Sequence, residues 1–188
     1  MLLAISKQNN QLQGNNLFIS SNKLKTVILS LGSNISDRKN YLILAVRSLI
    51  NSGYLSDYRF SSIYETDPVD YLNQSKFLNM AISAGTDLEP FELLNLCQSV
   101  EVNLGRKKRA KWHEREIDID IIFYDGEIIH GKDLVIPHQR MHLRRFVLEP
   151  INEIAPDFIH PIFNMSIEDL LKKCPDESQV LFFDKLEL

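Results

Sequence analysis

Alternation of apolar and polar positions divides the chain into a regular series of elements. Thr26-Val27-Ile28-Leu29-Ser30-Leu31 is β-branched and apolar, which predicts a buried strand beginning at Lys25. Gly32-Ser33-Asn34 breaks it. Tyr41, Leu42, Leu44, Ala45, Leu49 and Ile50 then recur at helical spacing. They predict a helix capped by Ser36, with Asp37 in its first turn and Gly53 just past its end. A second strand is predicted over 54–64. A third, over 77–84, alternates as a half-buried strand does. Glu89-Pro90 opens a second helix, because Pro is tolerated in a first turn, and Leu104-Gly105 closes it. A charged segment, 106–116, leads into a strand over 117–124. Asp125-Gly126 is a hairpin signal, with a short returning strand over 127–129. Short helices fit 144–151 and 166–173, the last capped by Ser166.

The order β-α-β-β-α-β predicts an α+β fold, a ferredoxin-like sheet with helices on its faces and additional C-terminal elements. A fold of this kind does not give a function. Residues 1–24 are polar and rich in Asn and Gln and read as a flexible extension or linker. Residues 25–188 then form a single domain. With 188 residues in all, that is close to one ordinary domain. A net charge of −4 excludes a general nucleic-acid coater or a polybasic membrane binder. Cys97 and Cys174 lie far apart and form no CxxC, so neither a zinc knuckle nor a redox pair is indicated. The expected compartment is the reducing cytoplasm. No apolar run reaches the roughly 18 residues of a membrane span.

Ile117-Asp118-Ile119-Asp120-Ile121 carries the sharpest chemical signal. Residues two apart on a strand share a face, so both carboxylates project together while the isoleucines fill the other side. The acids stand about 7 Å apart. At an effective dielectric near 20, two charges at that distance repel by about 2 kcal/mol. A hard divalent cation relieves that repulsion, and Mg²⁺ bound to substrate phosphates is the common use. The plainer reading is the wet face of an edge strand. Directly upstream, 105–115 holds six Lys/Arg and one Glu. Cations for phosphate oxygens beside acids for Mg²⁺ form the wiring of phosphoryl transfer. Trp112 offers a stacking plane or anchors the loop. His138 opens a second basic cluster and serves either a phosphate or a local hydrogen bond. No GxxxxGK[ST] is present, which disfavours a Walker-type kinase.

These pieces together resemble the 6-hydroxymethyl-7,8-dihydropterin pyrophosphokinases of folate biosynthesis. The matching segments are Leu29 to Asn34, Ser61 to Thr66, Phe77 to Asn79, Gly105-Arg106, Arg115 to Ile121, Val135 to His138 and Arg144 to Phe146. They occur in the family order over roughly 25–162. The resemblance implies transfer of pyrophosphate from ATP to the pterin hydroxymethyl group, releasing AMP. It implies that Asp118 and Asp120 hold two Mg²⁺ ions and that Arg106 and Arg115 are catalytic. Gln98, Glu101, Lys108, Lys111, Trp112, Ile121, His138 and Arg144 match nucleotide-binding positions. Thr66, Val69, Phe77, Asn79 and Phe146 match pterin-binding positions, the two Phe rings sandwiching the flat pterin and Asn79 reading its edge. The chain departs from the pattern at Phe77, where Tyr is frequent, at Gln139, where an aromatic is common, and at Lys108 and Lys111, which replace Arg. The basic loop is also one residue shorter. The expected partners are the two small substrates, with no nucleic acid and no membrane. The chain is expected to be a monomer or part of a fusion with another folate-pathway enzyme.

Two other readings fit parts of the pattern. A nucleotidyltransferase also uses strand Asp pairs with Mg²⁺, but it releases pyrophosphate. An RNA-binding module could use the same sheet and basic loop, but no RNP-type aromatic motif is present.

Overall fold

The computed structural model describes residues 24–68, 73–107 and 114–188. The expected lead over 1–24 therefore lies outside the described residues except for Leu24. Strands β1 (Lys25–Ser33), β2 (Leu55–Phe60), β3 (Ile63–Thr66), β4 (Phe77–Thr86) and β5 (Asp118–Tyr124) alternate with helices α1 (Arg38–Asn51) and α2 (Pro90–Asn103). A late strand, β8 (Val180–Asp184), joins them, giving the order β5-β1-β4-β3-β8 with β2 also paired to β4. A small hairpin, β6 (Ile129–His130) with β7 (Val135–Ile136), precedes helices α3 (Arg145–Ile154) and α4 (Ile167–Lys172). The core is the expected βαββαβ sheet. Among the described residues no helix is long and apolar enough to cross a membrane.

Strand periodicity sorts the sheet into two cores. Val27, Leu29, Leu31, Leu78, Met80, Ile82, Ile117, Ile119 and Ile121 pack beneath α1 and α2 with Leu42, Leu49, Leu93 and Cys97. Ile28, Ala81, Ile122 and Phe123 face the other way, against Val147, Leu148 and Ile151 of α3 and Leu170 of α4. Burying a side chain of this size contributes roughly 1.5–3 kcal/mol. A bulge lets Ile122 and Phe123 share a core. Leu29 pairs with Ile121 but Ile28 pairs with Phe123, so the alternation resets there.

Five local expectations change. The first helix is capped by Asp37, whose side chain accepts the Asn40 N–H at 3.2 Å. Ser36 instead takes a left-handed conformation, φ 53, and turns the chain into the helix. The single strand predicted over 54–64 divides at Ser61-Ser62. There Ser61 Oγ accepts the Ala81 N–H at 2.8 Å, and Glu153 of α3 accepts from both Ser62 N and Ser62 Oγ. Strand β4 is not half-buried. Leu78 through Ile82 are all covered, because α3 lies over the face that pattern alone left to solvent. The turn at Asp125-Gly126 does not return a strand along β5. Asp125 N donates to the Thr26 carbonyl at 2.5 Å and Glu127 accepts from Lys25 Nζ at 3.2 Å, so the chain crosses the end of β1 before β6 forms. Strand β8 was not anticipated. It is fastened by Lys39 Nζ to Asp184 Oδ2 at 2.5 Å and by Arg38, whose guanidinium lies 5.9 Å from the Phe183 ring centre. The helices predicted over 90–104 and 166–173 form as expected, the latter with Ser166 accepting the Asp169 N–H. Gly53 adopts the left-handed φ of 74 that its place past α1 requires.

Candidate active site

Antiparallel register lines up the chemistry across four strands. Gly32 of β1 stands opposite Asp118 of β5 on one side and Asn79 of β4 on the other, and Tyr64 of β3 stands opposite Asn79. One step along, Ser30 stands opposite Asp120. These positions share the face that looks away from α1 and α2. With neighbouring strands about 4.8 Å apart, the acids and the amide stand roughly 10 Å from each other across Gly32. Glycine keeps that gap open, since a Cβ there would stand 3.1 Å from Asn79 Oδ1. We expect Gly32→Ala to displace the Asn79 amide by a few tenths of an ångström. That should raise KM for the ring substrate about fivefold to tenfold, the effect of disturbing one buried polar contact, with KM for the nucleotide unchanged. Steady-state titration of each substrate reads the difference.

The acidic end is held by a compact charge network. Arg106 donates through Nη1 to Glu101 and through Nη2 to Asp118 Oδ1 at 2.7 Å. Arg115 donates through Nη1 to the other Asp118 oxygen. Glu101 is only 4% exposed and also accepts the Ile119 N–H at 2.7 Å. Burial pushes its carboxyl up, and Arg106 and the Ile119 N–H draw it back. Asp120 differs from Asp118. Burial, and after it the charge of Asp118, push its carboxyl up to about 7, with Coulombic relief from Arg144 and Arg115. Asp118 is thus paired with two guanidiniums, whereas Asp120 has no ion pair among the described residues and is pushed toward its neutral form.

His138 follows a cis Ile136–Pro137 peptide. Its backbone N–H donates to the Ile122 carbonyl at 3.0 Å, which fixes it beside β5 just past the acids. Burial, and then the charge of Arg144, hold its imidazole down at about 4, so the ring is neutral at pH 7. Its buried Nδ1 has no hydrogen-bond partner among the described residues. A buried, unsatisfied ring nitrogen beside a cluster of cations suits a phosphate or nucleotide oxygen.

At the far end, Asn79 Nδ2 donates to Thr66 Oγ1 at 2.8 Å, and both residues are nearly inaccessible. That bond fixes the direction of the amide. Phe77 lies opposite Thr66 in register. Phe146 sits in the first turn of α3, partly packed on the second core, with the Arg144 guanidinium 5.6 Å from its ring centre.

The network therefore gathers Arg106, Arg115, Glu101, Asp118 and Asp120, with His138 and Arg144 near enough to act on their charge. Thr66, Phe77 and Asn79 cluster two strands away. Ile121 is different: its side chain is 5% exposed and lies in the core under the helices, so only its backbone faces the sheet edge. Gln98 is exposed on α2, one turn before Glu101. Val69, Lys108, Lys111 and Trp112 lie outside the described residues. Sequence reasoning assigned Asn34 no role, yet its buried side chain bridges two segments of the site. The only sequence signal was its place in the Gly-Ser-Asn that ends β1.

The donor set fits Mg²⁺. Two carboxylates share a strand face, one of them without an ion pair among the described residues. Mg²⁺ is bound through one or two carboxylates, with water and phosphate oxygens completing its shell.

Residues 28–156 match the family described as 7,8-dihydro-6-hydroxymethylpterin-pyrophosphokinase. The 2-amino-4-hydroxy-6-hydroxymethyldihydropteridine pyrophosphokinase of Bacillus subtilis (strain 168) is 48% identical over 127 residues, covering 68% of this chain and 76% of that protein. Its counterpart in Aquifex aeolicus is 41% identical over 146 residues, covering 78% and 90%. The bifunctional protein FolKE of Lactococcus lactis subsp. cremoris is 42% identical over 70% of this chain, which spans 38% of that protein. Among solved structures, Plasmodium falciparum HPPK-DHPS with pteroate superposes with a TM-score of 0.62 at 19% identity. That match covers 85% of this chain and 45% of the bifunctional one, and at such identity it speaks for the fold alone.

Proposed function

This chain belongs to the 7,8-dihydro-6-hydroxymethylpterin-pyrophosphokinase family, and from that premise we propose how its residues divide the work. The activity comes with the family. The enzyme transfers pyrophosphate to the hydroxymethyl group of the dihydropterin in folate biosynthesis, with ATP as co-substrate. In our reading Asp118 and Asp120 hold two Mg²⁺ ions. Bound there, Mg²⁺ supplies charge neutralisation on the polyphosphate and a template that aligns it.

The remaining work falls to side chains. Arg106 pairs with Glu101 and Asp118, and Arg115 with Asp118. In the loaded enzyme the same guanidiniums neutralise the charge that shifts between phosphate oxygens as the β-phosphorus is attacked. An arginine aimed at phosphoryl oxygens contributes roughly 10³- to 10⁵-fold in rate. His138 offers one neutral N–H to a phosphate oxygen, and Arg144 adds a cation beside it. Asn79, held by Thr66, reads the polar edge of the pterin, and Phe77 and Phe146 flank the ring. Lys108, Lys111 and Trp112 complete the nucleotide side, Val69 the pterin side, and Gln98 and the Ile121 backbone the nucleotide base. No covalent nucleophile is needed, since positioning and electrostatics supply most of the rate.

Residues 25–188 form the catalytic domain in this reading, monomeric and cytoplasmic, with the basic loop serving phosphates rather than nucleic acid. The relatives that carry a second enzyme on one chain support a fusion-ready architecture for residues 1–24 as a linker.

The observation that carries the proposal is the pair Asp118 and Asp120 on one strand face, one acid gripped by two arginines and the other without an ion pair among the described residues. Product analysis tests it. With ATP, Mg²⁺ and 6-hydroxymethyl-7,8-dihydropterin, AMP and the pterin diphosphate should appear in equal amounts. Release of ADP, or of free pyrophosphate with a nucleotidylated pterin, would contradict it.

A further inference from the structure

Helix α3 carries Phe146 in its first turn and starts from Arg144, which contributes no side-chain cap. The Val147 and Leu148 N–H groups both donate to the Arg144 carbonyl at 3.1 Å. As a first-turn donor, the Arg145 N–H has no acceptor inside the helix. Its acceptor comes from the C-terminal segment instead: Asp176 Oδ2 accepts it at 2.9 Å, across 31 residues of sequence. Asp176 Oδ1 accepts the Ser178 N–H at 3.0 Å, a local bond that fixes the direction of the carboxylate. Burial would raise this carboxyl, but Ser178 and the Arg145 N–H outweigh it and hold it below its ordinary 3.8. A carboxylate charge therefore stands at the positive end of α3 at pH 7, where it is favourable. The segment that supplies this cap runs on into β8, whose Val180 stands opposite Thr66 of β3. Thr66 in turn accepts from Asn79 Nδ2 and stands opposite Phe77. At the other end of α3, Glu153 accepts from Ser62 and from the Tyr64 hydroxyl. Helix α3 is thus tied to the β3 side at both ends, and Asp176 is the tie next to the Phe146 ring.

We propose that Asp176 is a positioning residue for the pterin: by capping α3 from the C-terminal segment, it sets the gap between Phe146 and the side of the site formed by Phe77 and Asn79. The inference rests on the reading that Phe146 and Phe77 flank the pterin ring. Such a gap matters because dispersion falls steeply with distance. A radial opening of about 0.5–1 Å forfeits a quarter to a half of each contact. Two acceptor oxygens are what the geometry requires, one for each N–H. An amide in that place offers one acceptor and turns a donor toward the other N–H.

The test is a double-mutant cycle, read by calorimetric titration of 6-hydroxymethyl-7,8-dihydropterin in the presence of a methylene-bridged ATP analogue and Mg²⁺. Asp176→Ala should weaken pterin binding about fivefold to tenfold, the effect of a lost helix cap. The pterin KM should rise by the same factor, with kcat within about threefold of wild type. Phe146→Ala should weaken binding at least as much. Adding Asp176→Ala to Phe146→Ala should cost no more than about a further twofold, because the ring through which Asp176 acts is gone. Ser166→Ala is the matched control, since Ser166 Oγ caps α4 by accepting the Asp169 N–H at 3.1 Å. It should lower the melting temperature and leave pterin binding within about twofold of wild type. Full additivity of the Asp176 and Phe146 substitutions would overturn the proposal. So would an Asp176→Ala protein that loses only melting temperature, or a Ser166→Ala protein that loses as much affinity. Should Asp176→Ala fail to fold, Asp176→Asn decides: it should weaken binding about threefold, and wild-type affinity would overturn the proposal. If Phe146→Ala itself leaves affinity unchanged, the reading of that ring fails and the inference with it. If Phe146→Ala weakens binding and Asp176→Ala does not, only this inference fails.

Discussion

Asp120→Asn should abolish turnover and at the same time make the metal-free protein more stable. The loss of activity is expected to reach at least about 10³-fold, as for removal of a group that organises charge at a phosphoryl centre. The gain in stability follows from burial and from the charge of Asp118, which together push the Asp120 carboxyl up to about 7 from an ordinary 3.8. Because the folded value lies above the unfolded one, the folded protein holds this proton more tightly. The destabilisation is full above pH 7 and fades as pH falls toward 3.8. Asp120→Asn should therefore raise the melting temperature most at pH 8, progressively less as pH falls, and change it little at pH 4. Asp118→Asn should abolish turnover equally but lower the melting temperature, because Asp118 receives both Arg106 and Arg115. Two neighbouring acids with the same effect on rate and opposite effects on stability distinguish a metal couple from a wet strand edge, where both replacements would be nearly silent. Thermal melts at the two pH values and AMP formation measure both halves.

Arg106→Ala should lower kcat by about 10³- to 10⁵-fold, the range for a guanidinium that acts mainly in the transition state. The dissociation constants of both substrates should change by less than about threefold. The same substitution leaves Glu101 buried with the Ile119 N–H as its remaining partner among the described residues, at a cost of about 1–3 kcal/mol in stability. Adding Glu101→Gln should restore the melting temperature and leave kcat low. That pairing separates the part of the arginine that holds the fold from the part that meets phosphate. A rise in KM with kcat unchanged would show instead that Arg106 only binds the ground state. The Glu101 carboxylate accepts from Arg106 and from the Ile119 N–H between the two acids.

What the sequence conveyed well was whatever depends on period. Alternation at Ile117, Ile119 and Ile121 put Asp118 and Asp120 on one face, and the two cores confirm that division. The β-α-β-β-α-β order was legible because each element has its own repeat and its own stop signal. What depends on long-range contact was not. The half-buried character expected of β4 overlooked α3, which is separated from it by some 60 residues of chain and covers its second face. The apolar run Val180 to Phe183 was too short to declare a strand without its partner β3 in view. Ser36 and Asp37 are both competent caps, and only backbone conformation separates them. At the site, the residue types and spacing marked the chemistry, but not who holds whom. The double grip on Asp118, the orphaned Nδ1 of His138 and the two-edged use of Asn34 are facts of side-chain direction.

The central claim is that Asp118 and Asp120 grip divalent cation together, with Arg106 and Arg115 turned to the polyphosphate. Crystals grown with Mn²⁺ and a methylene-bridged ATP analogue offer the direct measurement, since anomalous scattering locates the ion independently of the protein. The account predicts anomalous density in contact with both carboxylates and with phosphate oxygens, and guanidiniums that have left Asp118 for the phosphates. A bound analogue with no ion at either acid, and both arginines still on Asp118, would contradict it.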